Sequence, residues 1–514
     1  MKNSQKSFHK LLFPQSILLI VLFVSGCSSN ENKGTGTEAV RKRPNIIFIL
    51  ADDLGYGDLS CFGQTNFITP HLDKMASDGM KFTDFYAGTA VCAPSRSVLL
   101  TGLHHGNTPV RANTMQVVQP DGTIKHQGRS FLPEEITIGE VLKDAGYQTG
   151  IIGKWGLGEI DDTGHPNDQG FDFFYGFLNH IHAHNHFPDF LWRNKTRETL
   201  PNVVQDVDCS YCYKFGFEGG VSTERIEYAD HLIRDEALEF IERNQDAPFF
   251  LYVPLISPHA NNEADQVDWA HGMETPDYGE FENKDWPDTA KGYAAMVQHI
   301  DNTVGAIRAK IEKLGLGKDT IIMFSADNGP HAEAGNDPDF HDSNGPLRGI
   351  KRDLYEGGIR MPTIAWGEGW VPKGTVSDHP AYFGDLMATF AELAEGTVPD
   401  INDSTSFVPT LTGNPKAQKP HEFLYWEFYS HGSSQAVRIG KWKAIRIPIL
   451  TGPIELYDLE NDIGETTNLA SKHPDIVAEA DALMKANHHP EPFWIPDTQG
   501  LSPDRLQNPK ISRK

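Results

Sequence analysis

The folded part of the chain opens on an unbroken apolar run, Pro44-Asn45-Ile46-Ile47-Phe48-Ile49-Leu50-Ala51. A run without polar alternation predicts a central parallel strand covered on both faces. It ends in Asp52-Asp53. Thr69-Pro70-His71-Leu72 reads as a capped helix start that Gly79 stops, and Met80 to Tyr86 returns as a strand. Ile138 to Ala145 has a helical pattern closed by Gly146, and Thr149 to Gly153 is a short strand delivering Lys154-Trp155. Ser222 or Thr223 stands where it would cap a long helix through Asn244. The buried strand Phe249 to Val253 follows and runs into Ser257-Pro258-His259. The clearest helix carries Tyr293, Val297, Ile300, Val304, Ile307, Ile311 and Leu314 in alternating steps of four and three, one continuous stripe. Gly315 and Gly317 end it. Thr320 to Ser325 is the next central strand and terminates in Asp327-Asn328-Gly329. Helices alternating with buried strands predict an α/β fold with a large, mostly parallel sheet flanked by helices.

Between Asn402 and Gly413 this alternation stops. His421 to Tyr429 and Gln435 to Ile449 are strand-like around the turn Gly432-Ser433-Ser434, and a helix follows from about Pro474 to Ala486. The pattern divides the chain into an α/β domain, 43–415, and a small C-terminal α+β domain with an antiparallel sheet, 416–514. Trp426, Glu427 and Tyr429 could reach a pocket rim, but an aromatic in a half-buried strand is core by default. The residues after His488 read as a surface wrap.

The N-terminus has a different pattern. Lys2, Lys6 and Lys10 precede an apolar core, Ile17 to Val24, too short to span a bilayer. Val24-Ser25-Gly26-Cys27 reads like a bacterial lipobox, with an ordinary secretory signal as the alternative. This predicts a signal peptide over 1–26, lipidation at Cys27, and a polar tether over 27–42. The protein is then exported and anchored, facing the periplasm or the outer surface of a Gram-negative cell. In that oxidising setting Cys209-Ser210-Tyr211-Cys212 reads as a local bridge or two free thiols, and Cys61 as buried and inert.

Composition adds one constraint. The 514 residues carry a formal net charge of -25, which argues against a nucleic-acid partner. If the substrate is anionic, the positive charge it needs must be concentrated in a pocket.

Candidate chemistry sits at strand ends and in one short run, Val91-Cys92-Ala93-Pro94-Ser95-Arg96. Pro94 suits a first helical turn, and Ser95 to Leu100 continues it to Thr101-Gly102. Cys92 then lies just ahead of a helix N-terminus that favours negative charge, with the Arg96 cation one turn on. A buried structural cysteine is the plain alternative. Asp52-Asp53 and Asp327-Asn328 follow central strands, where ligands bind open α/β sheets. Three carboxylates and an amide suit a hard divalent cation, Ca²⁺ or Mg²⁺, better than zinc.

Together these motifs resemble those of the formylglycine-dependent sulfatases. Asp52-Asp53, Cys92-Ala93-Pro94-Ser95-Arg96, Gly153-Lys154-Trp155, Pro258-His259, Asp327-Asn328-Gly329 and Lys351 with Glu356-Gly357-Gly358-Ile359-Arg360-Met361-Pro362 look like the family's signatures in the family's order. Gly440-Lys441-Trp442-Lys443 and Glu455-Leu456-Tyr457-Asp458-Leu459 are similar to its closing antiparallel sheet. The resemblance implies an alkaline phosphatase-like superfold and hydrolysis of a sulfate ester, here on a sulfated saccharide. It implies that a formylglycine-generating or anaerobic maturating enzyme converts Cys92 to formylglycine. Asp52, Asp53, Asp327 and Asn328 would hold calcium (or magnesium), with the hydrated aldehyde of residue 92 as a further ligand. Arg96 and Lys154 would neutralise the nucleophile, Lys351 would bind sulfate, and His259 would protonate the leaving oxygen. One position departs: the family commonly reads Gly-Lys-Trp-His-Leu-Gly, and this chain reads Gly153-Lys154-Trp155-Gly156-Leu157-Gly158. The stretch Asn179-His180-Ile181-His182-Ala183-His184-Asn185-His186 offers a substitute. If extended, its alternate histidines share one face, and His182 and His184 are the residues expected to touch substrate. A phosphoesterase of the same superfold and a non-catalytic glycan-binding lipoprotein are the rival functions.

Overall fold

Asn45–Ala51 (β1) is buried along its whole length, as its apolar run requires. The computed structural model describes residues 43–118, 124–205, 207, 219–429, 432–496 and 498. The leader, tether, Cys27, Cys209 and Cys212 lie outside the described residues. Within them, the large sheet also takes β2 (Met80–Phe82), β3 (Gln148–Lys154), β4 (Phe173–Phe177), β5 (Phe190–Arg193), β6 (Thr196–Thr199), β7 (Phe249–Pro254), β8 (Thr320–Ala326), β9 (Thr363–Trp366) and β10 (Thr375–Ser377). Its order is β10-β2-β9-β8-β1-β7-β3-β4-β5-β6. The five central strands, β8 to β4 in that order, are parallel; β9 and β5 run antiparallel to their central neighbours at the flanks, and β6 pairs antiparallel with β5.

Helices cover both faces. On one, α1 (Pro70–Asp78), α4 (Ala229–Arg243) and α5 (Asp288–Lys313) pack together; on the other lie α2 (Cys92–Thr101), α3 (Ile138–Asp144) and α7 (Asp385–Leu393). Alternate strand residues serve the two faces. Phe240 of α4 meets Phe249, whereas Phe390 of α7 meets Phe48 and Phe250. The α5 stripe is buried from Tyr293 to Ile311, with Leu314 as C-cap.

Leu424–Phe428 (β11), Ser434–Ile439 (β12), Trp442–Arg446 (β13) and Ile454–Asp458 (β14) form a separate antiparallel sheet in chain order. Against it packs α8 (Pro474–Ala486), whose Ala480 and Met484 join Tyr425, Val437, Ala444 and Leu456 in one core. Buried Lys443 of β13 pairs with Glu356, at 2.7 Å, on the short helix α6 (Glu356–Ile359), and with Glu465 at 3.1 Å. Trp426 donates its indole N–H to the Ala87 carbonyl, and Thr89 donates its hydroxyl to the Glu427 carbonyl. The second sheet is thereby bonded to the segments leading to Cys92 and following Lys351.

Several local expectations are corrected. Ser222 and Thr223 do not cap a helix: they lie in strand Val221–Glu224, paired with Val203–Gln205, and α4 begins after Tyr228. The Ser222 hydroxyl is committed to the Phe187 carbonyl at 2.5 Å. Met80 to Tyr86 divides, with Phe85–Tyr86 pairing outside the large sheet. Gln435 to Ile449 holds two strands, because Gly440 at φ 55° turns the chain between them. Thr69 stands at the N-cap of α1 without capping it, since its Oγ1 accepts from the Ser60 amide. Cys92 is the first residue of α2 rather than a residue ahead of it. Cys61 is half-buried, its thiol pushed up to about 12 by burial and then by Asp73.

Candidate active site

Strands β1 and β8 pair in register up to Ala51 and Ala326, so the acidic pairs that follow them emerge side by side. The Asp53 amide donates to Asp327 Oδ1 at 3.1 Å, and Asn328 Nδ2 donates to Asp53 Oδ1 at 2.7 Å. Asp53 makes this turn at φ 66°, a conformation aspartate tolerates better than most residues. Helix α2 closes the site from one side. Its Ser95 hydroxyl donates to the Asp327 carbonyl at 2.6 Å, and Cys92 at its first position is buried. Asn113 holds that end, accepting from the Ala93 amide at 3.2 Å and donating to Cys92 Sγ at 3.5 Å.

Three buried cations interleave with three buried carboxylates. Arg96 donates through Nε and Nη2 to Asp327 Oδ2 at 3.0 and 2.8 Å, and lies 3.4 Å from Asp52. Lys154, the last residue of β3, reaches Asp52 Oδ2 at 2.6 Å. Lys351 reaches Asp53 Oδ2 at 2.7 Å, Glu333 Oε2 at 2.8 Å and His259 Nε2 at 3.1 Å. Burial works to raise the Asp52 pKa, but Lys154 and Arg96 outweigh it and hold it below its ordinary value. Asp327, where burial and the Asp52 charge act together, is raised to about 7. Burial raises the Cys92 thiol as well.

The oxygen set fits a hard cation. Asp52 Oδ1 and Asn328 Oδ1 are buried without a hydrogen-bond partner. Cys92 Sγ and one carboxylate oxygen each of Asp52 and Asp327 lie within 4.8 Å of one another. Unpartnered buried oxygens facing further carboxylates are costly unless a cation sits among them. The structure thus brings Asp52, Asp53, Cys92, Arg96, Lys154, His259, Asp327, Asn328 and Lys351 into one place.

The histidine stretch is arranged otherwise than expected. It is not extended: His182–His184 is a 3-10 turn, so its histidines point different ways. The His184 ring stacks on His259 with centroids 4.7 Å apart, and its Nδ1 lies 3.1 Å from Glu263. His182 stacks on Phe190 instead, in a neighbouring cavity. His180, not singled out by the sequence, faces Gly156: a Cβ built on Gly156 would meet only His180 Cβ, at 3.7 Å. Burial, then the charges of His184 and Lys154, push the His180 pKa down to about 3, and Asp52 and Lys351 act on it too. Asn113, Glu333 and His331 are further site residues that sequence reasoning missed. His331 stacks near His259, centroids 5.9 Å apart, and Glu333 joins Lys351 to Arg352.

The model of the family described as Sulfatase matches residues 44–397 of this chain. The chain belongs to the sulfatase family. A model for the C-terminal part of N-sulphoglucosamine sulphohydrolase matches residues 350–487, where the second sheet lies. The dog N-acetylgalactosamine-6-sulfatase is 33% identical over 425 residues, 80% of this chain and 73% of its own. The N-acetylgalactosamine-6-O-sulfatase of Bacteroides thetaiotaomicron is 28% identical over 540 residues, 91% of this chain and 97% of its own. A crystal structure of Ps i-CgsB with k-i-k-neocarrahexaose superposes with a TM-score of 0.70 at 28% identity, covering 89% of this sulfatase and 96% of that chain. Sulfatases are sulfuric ester hydrolases, and the family generally uses formylglycine and a divalent metal. The cluster just described includes acidic groups that could bind a divalent metal.

Proposed function

We propose that this sulfatase hydrolyses a sulfate ester on a sulfated carbohydrate, with residue 92 acting as formylglycine beside a calcium ion. The observation that carries this reading is the meeting of Cys92, Asp52 and Asp327 at the ends of two central strands, with Arg96 and Lys154 paired to the same carboxylates. The thiol itself is a poor candidate nucleophile, because burial holds it protonated. When hydrated, the aldehyde made from Cys92 supplies a hydroxyl to attack sulfur and a second hydroxyl through which sulfate can be expelled. Asp52, Asp53, Asp327 and Asn328 would hold the cation, which lowers the pKa of an oxygen placed against it.

The chain's own residues do the rest. Arg96 and Lys154 place two permanent cations beside residue 92, where they stabilise charge growing on the sulfate oxygens. Lys351 binds sulfate from the other side. His259 Nδ1 donates to the Ala260 carbonyl at 2.6 Å, so its Nε2 is the acceptor toward Lys351. The proton for the leaving oxygen is therefore held by the Lys351–His259 pair, with His184 and Glu263 fixing the ring from behind.

The carbohydrate assignment is supported by relatives named for N-acetylgalactosamine 6-sulfate. The N-terminal pattern supports export and a lipid anchor at Cys27, and the modification requires a formylglycine-generating or anaerobic maturating enzyme in the host. The test is sulfate release from N-acetylgalactosamine 6-sulfate and sulfated oligosaccharides by protein co-expressed with such an enzyme. Sulfate is expected only from protein converted at residue 92, and chelation should abolish it. Hydrolysis of phosphate monoesters but not sulfate esters would overturn the reading in favour of a phosphoesterase. Saccharide binding without release by converted protein would make it a glycan-binding lipoprotein.

A further inference from the structure

A cavity of about 650 Å³ lies beside the catalytic cluster, within the range of about 300–1,000 Å³ typical of ligand sites. Gly156 and His180 line its inner end, and His180 senses Lys154, Asp52 and Lys351. The outer end is built on the β5–β6 hairpin, where Trp192 and Arg197 face each other in register. Exposed Arg197 holds its guanidinium over the Phe190 ring at 4.1 Å and the Trp192 ring at 5.1 Å. His182, 5% exposed, stacks on the same Phe190 at 4.3 Å, yet its Nε2 is buried with no hydrogen-bond partner.

These observations call for a ligand of a particular kind. Half-buried Trp192 offers a flat apolar face of the sort that stacks on a sugar ring. Arg197 offers a planar cation that recognises sulfate or carboxylate. Burial and then Arg197 push His182 down to about 3, so its ring is neutral and can donate or accept a hydrogen bond. Arg129 is paired with Glu135, Asp162 accepts from the Ser130 hydroxyl, and Glu159 accepts from Asn179.

The geometry points to a second saccharide subsite, in which the cavity takes the sugar next to the one losing sulfate and Arg197 binds an anionic group on it. The inference rests on the reading of the Cys92 cluster as the catalytic centre and narrows the substrate to oligosaccharides with a further sulfate or carboxylate. The turn 182–184 joins the two parts of the site. His184 supports His259 at the centre, and two residues earlier His182 faces the subsite.

Calorimetric titration of the full chain carrying Cys92→Ala tests this without turnover. The probes are N-acetylgalactosamine 6-sulfate, a sulfated galactosaminoglycan tetrasaccharide containing uronate, and an iota-carrageenan tetrasaccharide, which is sulfated but lacks carboxylate. At least one tetrasaccharide should bind about tenfold or more tighter than the monosaccharide, as one charge-assisted hydrogen bond warrants. Arg197→Gln, which keeps the stem and removes the charge, should erase that advantage. Which tetrasaccharide shows the gain tells sulfate from carboxylate. The proposal is overturned if neither tetrasaccharide gains, or if the gain survives Arg197→Gln. A gain that Arg197→Gln erases, in a protein whose converted form releases no sulfate, would leave the subsite standing and remove only the catalytic reading.

Discussion

Lys154 buries an ammonium whose charge is kept by Asp52 at 2.6 Å. Burial acts to lower its pKa and Asp52 overcomes that, leaving it raised. Lys154→Met should therefore act twice. Among the described residues Asp52 would keep only Arg96, at 3.4 Å, and removing one partner of a buried pair costs up to about 3–5 kcal/mol, read by denaturant unfolding. Loss of a cation at the developing charge should cut kcat by roughly 10²–10³-fold, read by sulfate release. At His180 the expectation separates two histidines. His180→Ala should lower kcat, because His180 stands at Gly156 beside the centre, while His182→Ala should raise KM for oligosaccharides. Equal effects of the two on kcat would contradict this placement. Residues whose chemistry is unusual where they stand, such as adjacent aspartates after an apolar strand, were legible in the sequence. Asn113, Glu333 and His180 were not, because their roles come from contacts across the fold. Asn113 meets Cys92 over 21 positions, and nothing local to it marks that meeting.

Among the elements, β3 shows how closely the strands approach at the site. Gly153 lies at φ 138°, and a Cβ on it would stand 1.9 Å from the Pro254 carbonyl oxygen of β7. Its register partner on β4 is Gly176, which would meet the Gly153 carbonyl at 2.1 Å. Glycine at 153 lets three strands converge where Lys154 must point inward. Gly153→Ala should cost more than the roughly 1–3 kcal/mol of backbone strain alone. Gly146→Ala, at φ 84° with nothing within 4 Å of the added Cβ, should cost only that strain. Urea unfolding of the two variants makes the comparison. Periodic elements were readable: the α5 stripe and the bounds of α8 follow the apolar spacing. Val221–Glu224 was misread because Ser-Thr before a helical pattern is also good strand chemistry, and its partner Val203–Gln205 is distant in sequence.

Across the whole molecule, the C-terminal sheet clamps the segment that carries Lys351. Lys443→Met should leave the buried carboxylates of Glu356 and Glu465 facing each other and destabilise the fold by about 3–5 kcal/mol. A second tie is pH-sensitive. His421, ahead of β11, lies 2.8 Å from Asp385 of α7, and Asp385 raises its pKa against the opposing effect of burial. Because the folded value lies above the reference of 6.5, the pair's contribution is complete below pH 6.5 and is lost as pH rises through the raised value. The unfolding free energy of the wild type should fall over that window, and His421→Gln should flatten the fall. The two-sheet architecture was visible in the change from strand–helix alternation to consecutive strands. The links between the sheets were not, because Lys443 and Glu356 carry no local sign of burial.

The central claim is that residue 92 works as an aldehyde and not as a thiol. Peptide mass spectrometry over residues 92–96, on the same preparation used for sulfate release, tests it most directly. Specific activity should scale with the fraction of Cys92 converted, reaching zero in unconverted protein. Full sulfate release from protein whose Cys92 is an intact thiol would contradict it.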